Sequence, residues 1–117
     1  MATICTTRSI LALAGGAALT LLAGWGAAAN VPPSVTIQLF QFRPTPVAVP
    51  AGTRVVWTNQ DDITHTITSG TPDKRDGRFS MPLAGKGTTA TVEFTHPGVY
   101  PYFCDRHQSM RGEIRVQ

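Results

Sequence analysis

Three side chains that bind soft metal ions follow one another at three-residue spacing near the C-terminus: Cys104, His107 and Met110. A fourth candidate, His65, lies upstream after a strand-like run. A thiolate, two imidazoles and a weakly bound thioether form the donor set of copper sites that transfer single electrons. Zinc is bound by Cys, His and carboxylates rather than by a thioether, and a closed zinc site would need further ligands. The four residues therefore predict one copper ion.

Other interpretations exist for each donor and for its rivals. Taken alone, His65 could be a strand-edge histidine, His107 a solvated surface histidine and Cys104 a buried inert thiol; their combination favours the metal. His96 lies before a strand of about 17 Å that ends near the thiol, so it cannot reach the same ion. Met81 lies in a polar stretch, where methionine usually fills a packing gap.

Residues 1–29 have the organisation of a secretory signal peptide. One positive charge in the first nine residues precedes an uncharged, mostly apolar stretch at 10–22, and small side chains at 27–29 offer a cleavage point. An uncleaved membrane anchor is the alternative, but the many Ala and Gly residues make this stretch only weakly hydrophobic. We therefore predict cleavage after residue 29, a single domain over residues 30–117 and a periplasmic location.

Export would leave Cys104 as the only thiol, because Cys5 is removed with the signal peptide. A thiol without a disulfide partner is uncommon in an oxidising compartment, and metal binding explains why it is kept. The formal net charge is only +3, and basic side chains are interspersed with acidic ones, so nucleic acid binding is not expected. The mature chain is predicted to be a monomer without stable membrane association.

Short runs rich in β-branched and aromatic residues predict an all-β domain, and no run keeps a helical period over three turns. The apolar phase shifts at Phe40, which indicates a bulge or bend. Residues 70–86 are rich in Gly, Pro and charge and predict a long surface loop, with at most a short strand near 78–80. Seven to eight strands favour a Greek-key β-sandwich, and the lack of paired cysteines excludes an immunoglobulin domain. The expected strands cover 35–39, 47–49, 53–59, 65–69, 88–94, 99–104 and 112–116.

The segments around the predicted ligands resemble a known family. Residues 98–112 read Gly-Val-Tyr-Pro-Tyr-Phe-Cys-Asp-Arg-His-Gln-Ser-Met-Arg-Gly, and the run Val-Val-Trp-Thr-Asn at 55–59 leads to His65. Both are similar to the cupredoxins, the small blue copper proteins. Only two residues separate His107 from Met110, which resembles amicyanin more than plastocyanin or pseudoazurin. The similarity covers nearly all of the mature chain.

This resemblance implies a cupredoxin-like sandwich with one type 1 copper ion, bound by His65, Cys104, His107 and Met110. It also implies electron exchange through the edge of His107 and a backbone N–H of Thr66 directed at the Cys104 sulfur. At position 66 plastocyanin and amicyanin carry an Asn whose side chain ties the two ligand loops together. Since Thr66 is shorter, we expect altered hydrogen bonding around the copper site.

The function expected from these features is that of a periplasmic electron carrier, which contacts redox partner proteins transiently near His107. A copper chaperone or storage protein with the same ligands is the alternative. A copper enzyme is not expected, because three histidines cannot supply a second copper site for a substrate. A hydrolase based on Cys104 lacks an orienting group. The expected docking patch consists of Pro82, Leu83 and Met110, with Arg106 and Arg111 at its rim.

Overall fold

The computed structural model describes residues 15–16 and 31–117. These residues contain nine β-strands and no α-helix, which confirms the all-β class with slightly more strands than expected. Apart from residues 15–16, the predicted signal peptide lies outside the described residues. No helix formed by the described residues has the length and hydropathy of a membrane span. In chain order the strands are β1 (Ser34–Gln38), β2 (Gln41–Arg43), β3 (Val47–Val49), β4 (Thr53–Asn59), β5 (His65–Thr71), β6 (Lys74–Leu83), β7 (Thr89–Phe94), β8 (Gly98–Phe103) and β9 (Arg111–Val116).

The strands form the two sheets of the predicted sandwich. One sheet has the order β2-β1-β4-β7 and the other the order β3-β9-β8-β5-β6. β1 runs parallel to β4, and β3 runs parallel to β9, whereas the other neighbours are antiparallel. The chain changes sheet after β2, β3, β4, β6 and β7. These crossings give the interleaved connections that a Greek-key sandwich requires.

The core lies between the sheets and is filled by the inward side chains of alternating strand positions. β4 shows the alternation clearly, because Val55, Trp57 and Asn59 are buried. The ring of Trp57 meets the ring of Tyr102 in β8 edge to face, with 5.3 Å between centroids. Such a pair contributes about 0.5–1.5 kcal/mol beyond the area that it buries. It fixes β8, which leads directly into Cys104, against the opposite sheet.

The prediction of a long surface loop over residues 70–86 is wrong. β5 and β6 form a hairpin there, and β6 is an edge strand in which only Phe79 and Leu83 are buried. A solvent-facing edge strand tolerates polar and charged side chains, so its composition resembles that of a loop. The register shifts at Gly70, where φ is +96° and a Cβ would overlap the carbonyl oxygen of Lys74. Glycine is therefore required at this bulge.

The bend expected near Phe40 is a two-residue hairpin turn between β1 and β2. Gln38 pairs with Gln41, and between them Leu39 and Phe40 have φ values of 51° and 59°. Left-handed backbone at both positions is typical of Asn and Gly in such turns. Two large apolar residues in this conformation therefore need support from elsewhere in the molecule.

Candidate metal centre

The nitrogen and sulfur donors come from two segments at one end of the sandwich. His65 begins β5, Cys104 directly follows β8, and His107 lies in the loop between β8 and β9. This loop closes on itself, because the Cys104 N–H donates to the Met110 carbonyl at 3.1 Å and the Met110 N–H donates to the His107 carbonyl at 2.9 Å. The strands on both sides therefore fix the loop and its side chains.

The donor atoms of these residues converge. The Sγ atom of Cys104 lies 3.8 Å from Nδ1 of His65 and 3.6 Å from Nδ1 of His107, and all three atoms lie within 4.8 Å of one another. Zinc–sulfur and zinc–nitrogen bonds are about 2.3 and 2.0 Å long. Copper bonds of similar length at a trigonal angle would place sulfur and nitrogen about 3.7 Å apart. The three donors thus fit one ion of the His₂Cys type.

The other candidate residues differ in their surroundings, and Met81 lies on β6 rather than in the expected loop. Met110 ends the ligand loop and is 2% exposed. His96 is exposed in the turn before β8 and does not belong to the converging group. Met81 lies opposite Ile67 on β6 and packs against the hydrophobic core. Met110 lies in the same hydrogen-bonded loop as Cys104 and His107, whereas Met81 and His96 lie elsewhere.

A buried amide organises the segment that leads to His65. Nδ2 of Asn59 donates to the carbonyl of Ile63 at 2.7 Å and to the carbonyl of Leu83 at 3.0 Å. Oδ1 of Asn59 accepts the N–H of Asp61 at 2.9 Å. Both ends of the amide are satisfied, as a fully buried polar side chain requires. The segment between β4 and β5 is therefore fixed where it delivers the histidine.

Thr66 joins the two ligand segments in spite of its short side chain. Its backbone N–H donates to Sγ of Cys104 at 3.4 Å, as the resemblance implied. Its Oγ1 accepts the backbone N–H of Asp105 at 2.7 Å. A hydroxyl at this position therefore supplies the cross-loop connection that the sequence comparison attributed to Asn. The expected change in hydrogen bonding is therefore that a hydroxyl replaces an amide, while the bond between the two ligand segments is kept.

Asp61 contacts the candidate ligand His65, a contact that the sequence interpretation missed. Its carboxylate accepts the backbone N–H groups of Leu39 and Phe40 at 2.8 and 3.1 Å, and its Oδ2 lies 2.8 Å from Nε2 of His65. With Nδ1 directed at the cluster of metal-binding atoms, the N–H of the His65 ring lies at Nε2 and donates a hydrogen bond to this carboxylate. Burial acts to raise the pKa of Asp61, but the hydrogen bonds from Phe40, Leu39 and His65 outweigh it, so the pKa lies below its usual 3.8.

Phe40 also contacts the site, and the sequence contained no direct signal for this contact. Its ring meets His65 edge to face at 5.3 Å between centroids and His107 at 4.9 Å. The two imidazole rings are 5.1 Å apart. One phenyl ring and two imidazoles therefore form a compact cluster at the end of the sandwich.

The surface near His107 differs from the expected docking patch. Leu83 is completely buried and Met110 is 2% exposed, so neither side chain can contact a partner broadly. Pro82 is exposed, as are Arg106 and Arg111. The large apolar side chains that are exposed in this part of the molecule are Leu39 at 72%, Phe40 at 51% and Ile63 at 40%.

Comparisons with known proteins agree with this geometry. Residues 29–117 match the family model of copper binding proteins of the plastocyanin/azurin family. Amicyanin-alpha of Methylorubrum extorquens is 32% identical over 85 residues, which cover 71% of this chain and 70% of the relative. The structure of a purple cupredoxin from Nitrosopumilus maritimus is 28% identical, with a TM-score of 0.67 over 73% of this chain and 99% of that chain.

A domain of a larger protein is similar as well. A copper-containing nitrite reductase from Thermus scotoductus is 30% identical, with a TM-score of 0.66, and the match covers 74% of this chain but 22% of the reductase. The expected resemblance to cupredoxins, and among them to amicyanin, is confirmed by these matches. Together with the converging His65, Cys104 and His107, they establish that the chain belongs to the plastocyanin/azurin family, as a blue copper protein of electron transfer with one type 1 copper ion.

Proposed function

We propose that this protein carries single electrons between redox proteins of the periplasm and that its copper ligands are His65, Cys104, His107 and Met110. The convergence of one sulfur and two Nδ1 atoms within 4.8 Å carries the proposal. Met110 is included because it ends the same closed loop and is buried. Bound copper would supply a one-electron couple, which a weakly bound Met110 thioether would tune.

The protein contributes a fixed arrangement of these donors. The Thr66 N–H donates to the Cys104 sulfur at 3.4 Å, and Asp61 orients the ring of His65 through Nε2 at 2.8 Å. Both Cys104 and His65 are completely buried, which keeps water away from the sulfur and from this imidazole. Donors that are held before and after an electron moves need little rearrangement, and this favours fast exchange.

Exchange with a partner is proposed to pass through His107. This is the one partly exposed residue of the proposed set, since the other three are buried. The exposed apolar side chains of Leu39, Phe40 and Ile63 lie at the same end of the molecule and offer a small surface that a partner can dehydrate. Transient encounters between redox proteins use small contact areas.

The periplasmic location is proposed from the N-terminal sequence. The apolar stretch at 10–22 and the small residues at 27–29 fit a signal peptide. The family match begins at residue 29, which agrees with a mature domain over residues 30–117. Expression of the full sequence in a bacterium, followed by mass spectrometry of the periplasmic fraction, tests this proposal. Recovery of the uncleaved chain in the cytoplasm or in the membrane would refute it.

The ligand assignment is tested by copper loading of residues 30–117. Cu(II) should produce an intense visible band from charge transfer between the thiolate and the metal. Cys104→Ala should abolish this band, and His65→Ala or His107→Ala should weaken or remove it. Cys5 lies outside the loaded domain, so no other thiol can replace Cys104. A copper-loaded wild-type protein without the band would refute the proposed site.

Voltammetry distinguishes the carrier from a copper chaperone or storage protein. A carrier should give a reversible one-electron wave and keep its copper through repeated cycles. Release of Cu(I) to a chelator during cycling would favour metal delivery instead. Assays with oxygen and nitrite address catalysis, since sustained turnover by the isolated domain would contradict a carrier function.

A further inference from the structure

The β1–β2 turn reaches the metal centre although it is distant from the ligands in sequence. Its two residues, Leu39 and Phe40, have φ values of 51° and 59°, which residues with a Cβ seldom adopt. Their side chains are more than half exposed, so burial does not compensate for this conformation. Another group must hold the turn.

The carboxylate of Asp61 is that group. It accepts the N–H of Leu39 at 2.8 Å and the N–H of Phe40 at 3.1 Å, which are the two backbone donors of the turn. The same carboxylate accepts Nε2–H of His65 at 2.8 Å. Its own backbone is fixed, since the N–H of Asp61 donates to the side chain of Asn59. One side chain therefore couples the turn to a proposed ligand.

The position of the Phe40 ring follows from this coupling. The ring stands edge to face with both His65 and His107, and its centroid is 5.3 and 4.9 Å from theirs. Because the two histidines belong to different segments, one phenyl ring contacts both halves of the site. A displacement of the turn would remove this contact from both imidazoles at once.

We propose that Asp61 is a positioning residue of the metal centre: it seats the Phe40 ring against both imidazoles and so holds His65 and His107 in the copper-binding orientation before the ion arrives. Asp61 acts through its hydrogen bonds and Phe40 through ring contact. The inference rests on the proposed ligand set, because it concerns the orientation of two of those ligands.

The first test uses the metal-free domain and NMR. The Phe40 ring current should shift the ring protons of His65 and His107, and Phe40→Leu should remove this shift. Asp61→Asn should remove it as well. The amide of Asn has a single acceptor atom, which cannot accept hydrogen bonds from Leu39, Phe40 and His65 together. Phe40→Tyr keeps the ring, and Asp62→Asn changes a neighbouring exposed carboxylate, so both should resemble wild type.

The second test measures the rate at which an excess of a copper chelator removes the ion from the loaded domain. Loss of the groups that orient metal ligands weakens metal binding by about 10–100-fold. We expect Asp61→Asn and Phe40→Leu to release copper at least about tenfold faster. Phe40→Tyr and Asp62→Asn should release it at the wild-type rate.

The inference is overturned if Asp61→Asn keeps both the ring-current shifts and the wild-type rate, even when the protein unfolds at a lower temperature. That result would make Asp61 a support of the turn alone. If Asp61→Asn does not fold, Phe40→Leu and Phe40→Tyr decide the role of the ring. If wild type shows no thiolate band, the proposed ligands fail, while the NMR comparison of the metal-free proteins still tests the role of Asp61.

Discussion

The hydroxyl of Thr66 provides a direct test of how the two ligand segments are held together. Thr66→Val removes Oγ1 and keeps the shape and the branching of the side chain. Two hydrogen bonds are lost: the short one from the Asp105 N–H at 2.7 Å, which joins β5 to the residue after Cys104, and a longer one with Oγ1 of Thr68 at 3.3 Å within β5. Asp105 is exposed, so water replaces the missing acceptor and the net cost is about 1 kcal/mol. For a domain of this size, such a loss lowers the Tm by about 4–8 °C.

Thermal unfolding of the metal-free domain, followed by circular dichroism, measures this difference. Thr66→Ser is the matched control, because it keeps the hydroxyl and loses only a methyl group. The backbone N–H of Thr66 still donates to the Cys104 sulfur in both variants, so both should form the visible band with copper. If Thr66→Val has the Tm of wild type while Thr66→Ser has a lower one, the methyl group and not the hydroxyl holds the two ligand segments together. That result would refute the reasoning.

Three further predictions follow from buried or strained positions. Burial raises the pKa of Tyr102 to about 12, so the folded state favours the neutral phenol. As the pH rises from about 10 to about 12, the free energy of unfolding of wild type, measured with urea, should therefore fall by roughly 2–3 kcal/mol. Tyr102→Phe should not show this loss. Gly70→Ala should lower the free energy of unfolding by at least about 2 kcal/mol in the same assay, because its Cβ would overlap the Lys74 carbonyl at positive φ. Gly77→Ala is the control, since a Cβ there meets open space, and it should lower this free energy by about 1 kcal/mol. Equal losses in the two variants would contradict the predicted overlap. Met110→Leu should keep the visible band and raise the reduction potential in voltammetry, and an unchanged potential would argue against an axial thioether.

The convergence of His65, Cys104 and His107 and the fold class could be predicted because their signals are local and chemically specific. Few residue types bind copper, and the three-residue spacing from Cys104 to Met110 places candidate donors on one loop whatever the rest of the chain does. Alternating apolar residues likewise indicate strands without knowledge of their neighbours. Val55 and Trp57, which lie two residues apart on one face of β4, are both buried in the structure.

The surroundings of the donors could not be predicted, because they depend on distant pairing. Asp61 matters only when the β1–β2 turn is placed beside it, and Phe40 contacts the histidines only because its backbone is left-handed. The hairpin register buries Leu83, which the sequence interpretation assigned to a surface patch. The exposed edge strand β6 was mistaken for a loop because neighbouring strands, rather than its own composition, determine its conformation.

The parallel pairing of β3 with β9 has a consequence for when the copper site can form. Val47 pairs with Ile114, so β9 completes a sheet whose edge strand β3 comes from the first half of the chain. Pairings this distant in sequence form late and slowly. A nascent chain that lacks β9 also lacks one of the two strands that pair with β8, which leads into Cys104. Metal acquisition should therefore follow synthesis of the whole domain. Copper retention would then distinguish completely folded chains from incomplete ones.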